Sequence, residues 1–134
     1  MAATAAIAMV GIAYWLLLAG TWKPEGWQLV ADVILHTVTP LVAVTSWWAW
    51  RDGSLRWGDA WRAAIWPAAY AVYALARGSI DGWYAYWFFD PNRQGWGEIV
   101  FSIIALSALV VGIAVLLIAG DRRKKAVPTT ENSP

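Results

Sequence analysis

The residues able to do chemistry lie in one otherwise apolar stretch. Between Glu25 and Arg51 the only charged residue is Asp32, and His36, the only histidine, follows four positions later with Thr37, Thr39 and Pro40 behind it. Residues four apart on a helix share one face and reach each other. A carboxylate so placed fixes the imidazole tautomer and favours its protonated form. Such a pair is how a general base is oriented for acyl transfer. Ionisable groups at membrane depth are costly and suggest function by default, so His36 and Asp32 are the catalytic candidates. Pro40 has no N–H to give to the His36 carbonyl four residues back, so a kink is expected there, opening space beside the imidazole. Two structural alternatives stand beside this. Thr39 would back-bond the freed carbonyl and make the group a kink only, or Asp32 would sit solvated near the outer interface.

A second polar line follows. Arg62, Trp66, Tyr70, Tyr73 and Arg77 are spaced four, four, three and four apart, one continuous stripe at helical period, with Pro67 interrupting it. Facing His36, this stripe would make a polar pocket within a bundle; the alternative is packing and interfacial anchoring. The run from Gly82 to Pro91 is too aromatic for an ordinary loop. It is expected in the interface or as the cap of a lipid-facing cavity. Thr39, Tyr70, Tyr73, Arg77, Tyr84 and Tyr86 are therefore the pocket candidates.

These residues must be positioned by membrane helices. Of 134 residues 60% are hydrophobic and 14% charged, where a water-soluble domain carries roughly a quarter. The size suits one folding unit. A bilayer core of ~30 Å takes ~20 apolar residues, and four stretches approach that: about 3–20, 27–49, 61–79 and 99–120. The third is the shortest, with Arg62 and Arg77 snorkelling from its ends. No basic region precedes the first stretch, so it reads as a retained helix rather than a cleaved leader. The expected architecture is an all-α integral membrane bundle of about four transmembrane helices over residues 1–120, with a disordered tail over 121–134.

Basic residues orient it. Arg51, Arg56, Arg62, Arg122, Arg123, Lys124 and Lys125 fall on one side, Lys23, Arg77 and Arg93 on the other. This bias puts both termini in the cytoplasm of a multi-pass cell-membrane protein. Most of the 12 tryptophans fall at the two boundaries, as an aromatic belt does. A net charge of +1 gives no footprint for nucleic acid. Without Cys there is no thiol chemistry, and one His does not supply two axial haem ligands within a chain. There is no G-x-S-x-G elbow, H-E-x-x-H or phosphate loop. No cofactor or metal is expected; membrane lipids are the expected partners.

Taken together, L-H-T-V-T-P (35–40) with Asp32 ahead of it, W-P-A-A-Y-A-V-Y (66–73), A-R-G (76–78) and G-W-Y-A-Y-W-F-F-D (82–90) resemble the androgen-induced protein family of membrane proteins. The bacterial branch is the nearest, and the resemblance covers roughly residues 10–120. It implies about six spans and, in animal members, hydrolysis of esters between fatty acids and hydroxy fatty acids by a Thr nucleophile and a His. The His role maps onto His36. The Thr has no counterpart, which implies a chain lacking the two earlier spans. Family members also tend to carry Pro where Ala85 and Trp87 stand.

The expected function is thus a lipid-ester hydrolase relic or shortened member, without its nucleophile. The rivals are a non-enzymatic membrane or lipid-binding protein, and a small oligomeric transporter using Asp32 and His36 as a proton relay. A homo-oligomer or a missing N-terminal segment would each supply what this chain lacks.

Overall fold

The computed structural model describes residues 1–21 and 23–125; most of these are helical, and there is no strand among them. Helix α1 (Ala2–Ala13) is alanine-rich and uncharged, as suits an apolar helix, and runs straight into a π-helical turn, Tyr14–Leu18. Helix α2 (Trp27–Val33), a second π turn (Ile34–Val38) and α3 (Thr39–Trp50) form one rod of 24 residues. A 3-10 segment, Trp57–Ala64, leads into α4 (Ile65–Asp81); a 3-10 turn, Trp87–Phe89, leads into α5 (Trp96–Lys125).

Proline explains two of these junctions. Before Pro40 the Thr39 N–H reaches back five residues to the Ile34 carbonyl, so the helix widens into the π turn where the proline would otherwise break its ladder. Pro67 sits in the first turn of α4, where an N–H has no helical partner anyway. It therefore interrupts nothing. Along the third expected span, 61–79, the first residues form the 3-10 segment and the α-helix starts at Ile65.

The rod Trp27–Trp50 and the stretch Trp96–Lys124 are long and apolar enough to cross a membrane. At 1.5 Å per residue the 24-residue rod spans about 36 Å. Both present large apolar side chains outward: Leu41 is 61% exposed, Phe101 71% and Leu116 73%. Contiguous surface of this kind suits hydrocarbon rather than water. Ala2–Leu18 is apolar but shorter, and α4 has 17 residues, about 25 Å. Two of the four expected spans therefore have full length.

Small residues set the packing. Ala5, Ala60, Ala63, Val110 and Ala114 are buried where α1, the 3-10 segment and α5 meet; Ala71, Ala74, Phe88, Phe89 and Ile99 make a second core under α4. Such residues let helix backbones approach closely. A close approach against rigid groups joins α1 to the rod. A Cβ on Gly11 would stand 2.8 Å from Pro40 Cγ and 3.1 Å from the His36 carbonyl oxygen. Neither a proline ring nor a backbone carbonyl swings aside. Gly11→Ala is therefore expected to destabilise the protein by about 1–3 kcal/mol through overpacking, read as a lower unfolding midpoint in detergent. Gly112→Ala, with nothing within 4 Å of its Cβ, is the control and should not lower it.

Helix α5 does not stop at Gly120, where the tail was expected to begin; it continues to Lys125. Asp121 is 1% exposed and accepts the backbone N–H groups of Gly53 and Leu55, each at 3.0 Å. Gly53 has φ of 78°, a conformation glycine adopts freely, which fits the tight turn of the loop onto that carboxylate. The rest of the expected tail, 126–134, lies outside the described residues.

Candidate functional site

The site is built where the two π turns meet. His36 lies on the second, and its Nδ1 is 3.1 Å from Asp32 Oδ1 and 3.1 Å from the Asp32 carbonyl oxygen. Both partners are acceptors, so Nδ1 carries a proton and, in the neutral ring, Nε2 is the basic nitrogen. Tyr14, on the first π turn, donates its hydroxyl to Asp32 Oδ2 at 2.6 Å. Its ring stacks on the imidazole with centroids 3.8 Å apart and planes 9° from parallel. Asp32 is only 7% exposed and His36 25%, so the carboxylate is held from behind while the imidazole keeps an open edge. A phenol, a carboxylate and an imidazole thus form one hydrogen-bonded chain between two helices. π-helical turns recur at functional sites because they re-aim side chains.

His36 and Tyr14 stand in the wall of a cavity of about 400 Å³. The remaining wall is mostly apolar: Met9 and Val10 from α1, Trp66, Tyr70 and Ala71 from the start of α4, and Ile103 and Leu106 from α5. Tyr86, Phe88 and Phe89 close another part of it. Tyr86 stacks on Phe88 at 5.2 Å, and Phe88 meets Phe89 edge to face at 4.9 Å. A pocket with apolar walls and a few convergent polar groups is the usual form of a small-molecule site. The chain matches no family model, no curated protein and no solved structure. Its site has to be read from its own geometry.

Of the residues nominated from sequence, the structure gathers four. Asp32 backs His36, and Tyr70 and Tyr86 share the cavity wall with it. Four others stand elsewhere. Thr39 gives its hydroxyl to the Ile34 carbonyl at 2.8 Å and is exposed, so it back-bonds two residues before the His36 carbonyl freed by Pro40. Arg77 pairs with Asp81 at 2.9 Å and touches the Tyr73 hydroxyl at 3.4 Å, both on the exposed side of α4. The Tyr84 ring packs on Gly78, so closely that a Cβ there would collide with it. The stripe keeps one face of α4 from Trp66 on, but the cavity reaches only its first turns, so Trp66 and Tyr70 line it with much of their surface still exposed while Tyr73 and Arg77 lie beyond it. Outside the apolar segment, Asp81 is held below the usual carboxylate range, first by the Trp83 N–H and then by Arg77.

Two members of the site were not foreseen. Tyr14 carried no local signal except that it is a phenol in an uncharged stretch, 18 residues before a carboxylate that needed a donor. Ser107 is the only aliphatic hydroxyl in the cavity wall among the described residues. No hydrogen bond joins it to His36. Ser102, one turn and a residue earlier on α5, bonds the Glu98 carbonyl at 2.9 Å.

Proposed function

We propose that this protein crosses the membrane four times, with both termini cytoplasmic, and takes the chain of a lipid ester into the 400 Å³ cavity with His36 as the base of a hydrolase-type site. The observation that carries the reading is an imidazole of fixed tautomer, backed by a buried carboxylate, in the wall of an apolar cavity. The Asp–His pair holds a proton acceptor where an ester carbonyl would lie, and the aromatic wall takes the chain. Support for the membrane setting comes from the two long apolar stretches and their outward-facing side chains. The shorter α1 and α4 cross in this reading with flanking arginine and tryptophan side chains reaching the interface. Reporter fusions at Gly53 and the C-terminus should read cytoplasmic and one at Gln94 should not; opposite signals would reverse the orientation.

The expected chemistry is limited by its parts. Acyl transfer through a covalent intermediate needs a hydroxyl or thiol within about 3 Å of the base, and Thr39 is engaged elsewhere. The 134-residue chain is therefore expected to bind long-chain esters and to hydrolyse them no faster than its His36→Ala variant. A diazirine-bearing lipid ester should label the wall residues Trp66, Tyr86 and Phe88. Labelling confined to the outward face of the rod would sink the proposal, and fast hydrolysis lost in Ser107→Ala would identify Ser107 as the nucleophile.

A second reading rests on the same chain of groups. Phenol, carboxylate and imidazole in series are suited to proton relay within a membrane, which favours a proton-coupled transporter over an inert packing protein. Proton flux in vesicles that disappears on Asp32→Asn would select it.

A further inference from the structure

A second cavity opens where the rod ends. It has a volume of about 220 Å³ and is walled by Trp47, Trp50, Arg51, Asp52, Leu55 and Asp121. The Arg51 guanidinium lies flat on Trp48, its Cζ 3.4 Å from the ring centroid. Its Nε and Nη1 are buried and have no hydrogen-bond partner, and it joins none of the ion pairs among the described residues.

The neighbouring carboxylates are already occupied. Asp121 takes the N–H groups of Gly53 and Leu55. Asp52 takes the Ser54 N–H at 3.0 Å and feels the charge of Lys124, whose ammonium bonds the Arg51 carbonyl at 2.6 Å. The Arg51 guanidinium pairs with neither carboxylate, although both line the same cavity, as does the N-terminal Met1. Buried donors of a charged group are normally paired, and leaving them unpaired is costly. The missing partner is an anion.

Position narrows its kind. Arg51 is the first residue past the rod, beside three tryptophans and the basic end of α5, which is where headgroups lie in a spanning protein. A guanidinium fork matches the oxygens of a phosphate, and a lysine adds a point charge. We propose that Arg51, supported on Trp48 and flanked by Lys124, binds a phosphate group, as a phospholipid headgroup or as the free ion. Arg51 is only partly buried and stands in the cavity wall, so a phosphate reaches the guanidinium from that side. This site is separate from the His36 cavity and does not depend on ester chemistry there.

Native mass spectrometry of the delipidated full chain tests the assignment, with phosphatidylglycerol, diacylglycerol of the same acyl chains and inorganic phosphate added in turn. One phosphatidylglycerol should be retained per chain, and diacylglycerol about tenfold less, the size expected for losing one charge-assisted contact. Arg51→Gln should lower phosphatidylglycerol occupancy about tenfold and Arg51→Lys should restore part of it. Displacement of the lipid by millimolar inorganic phosphate would add the free ion as a ligand of the same site; no displacement would assign it to the lipid alone. Diacylglycerol held as well as phosphatidylglycerol on the unaltered chain would overturn the proposal, and that comparison needs no variant to fold. Lipid kept by Arg51→Gln but lost on His36→Ala would place it in the larger cavity and overturn it too.

Discussion

Asp121→Ala is expected to lower the unfolding free energy by about 3 kcal/mol, since two hydrogen bonds to a charged acceptor are lost together and two N–H groups are left in a buried place. The carboxylate is nearly inaccessible, and both of its oxygens are used, by Gly53 and by Leu55. These bonds join residues 68 and 66 positions apart in sequence, so they tie the loop after the rod to the end of α5. Asp121→Asn keeps one acceptor and should fall between. Asp52→Ala, at an exposed carboxylate on the same loop, is the control and should move the midpoint little. Thermal unfolding in detergent measures all three. An Asp121→Ala chain as stable as Asp52→Ala would mean that the loop holds its shape without α5.

The second large effect is expected at Asp32. Asp32→Ala leaves the Tyr14 hydroxyl and the His36 Nδ1–H without their shared acceptor in apolar surroundings, a loss of about 3 kcal/mol. Tyr14→Phe removes only one donor and should lose about half of that. Because both changes act on one network, the double variant should fall short of the sum by about 1–2 kcal/mol. Nitrogen-15 NMR of His36 supplies a readout that stability alone does not. The native ring should show its proton on Nδ1, and Asp32→Ala should show a mixture of tautomers. An unchanged tautomer would mean that the carbonyl of residue 32, the other acceptor of Nδ1, is sufficient to hold the ring.

The contrast between these two aspartates shows what a sequence discloses. Asp32 and His36 are four apart on one helix, so their pairing is local and could be read from spacing alone. Asp121 sits at the head of a basic run and reads as the start of a solvated tail; only the fold brings a loop from 66 positions away onto it. Tyr14 is hidden for the same reason, since the carboxylate it serves lies on another helix. From Trp66 on, the stripe is one helical face as its spacing suggests, but spacing does not say how far along that face a cavity reaches, and this one stops at Tyr70 and Ala71. Before Ile65 the chain is a 3-10 segment, so Arg62 falls outside the period. The helical class was legible because long uncharged runs leave the backbone few ways to satisfy its own polar groups in an apolar setting.

The paired π turns are places where this protein can take up a change in length. Each turn holds one residue beyond what an α-helix would accommodate, with little change in the phase of the helix on either side. A residue removed from Ile34–Val38 would leave the rod one residue short of its 24, yet the faces bearing Asp32 and Pro40 would keep nearly their present directions toward α1. Hydropathy would scarcely register either this loss or the same loss in α3. In α3, however, the turns are regular, and one residue fewer would rotate the end of the rod by about 100° against its start. Trp47 would then leave the core that α1 and α5 share.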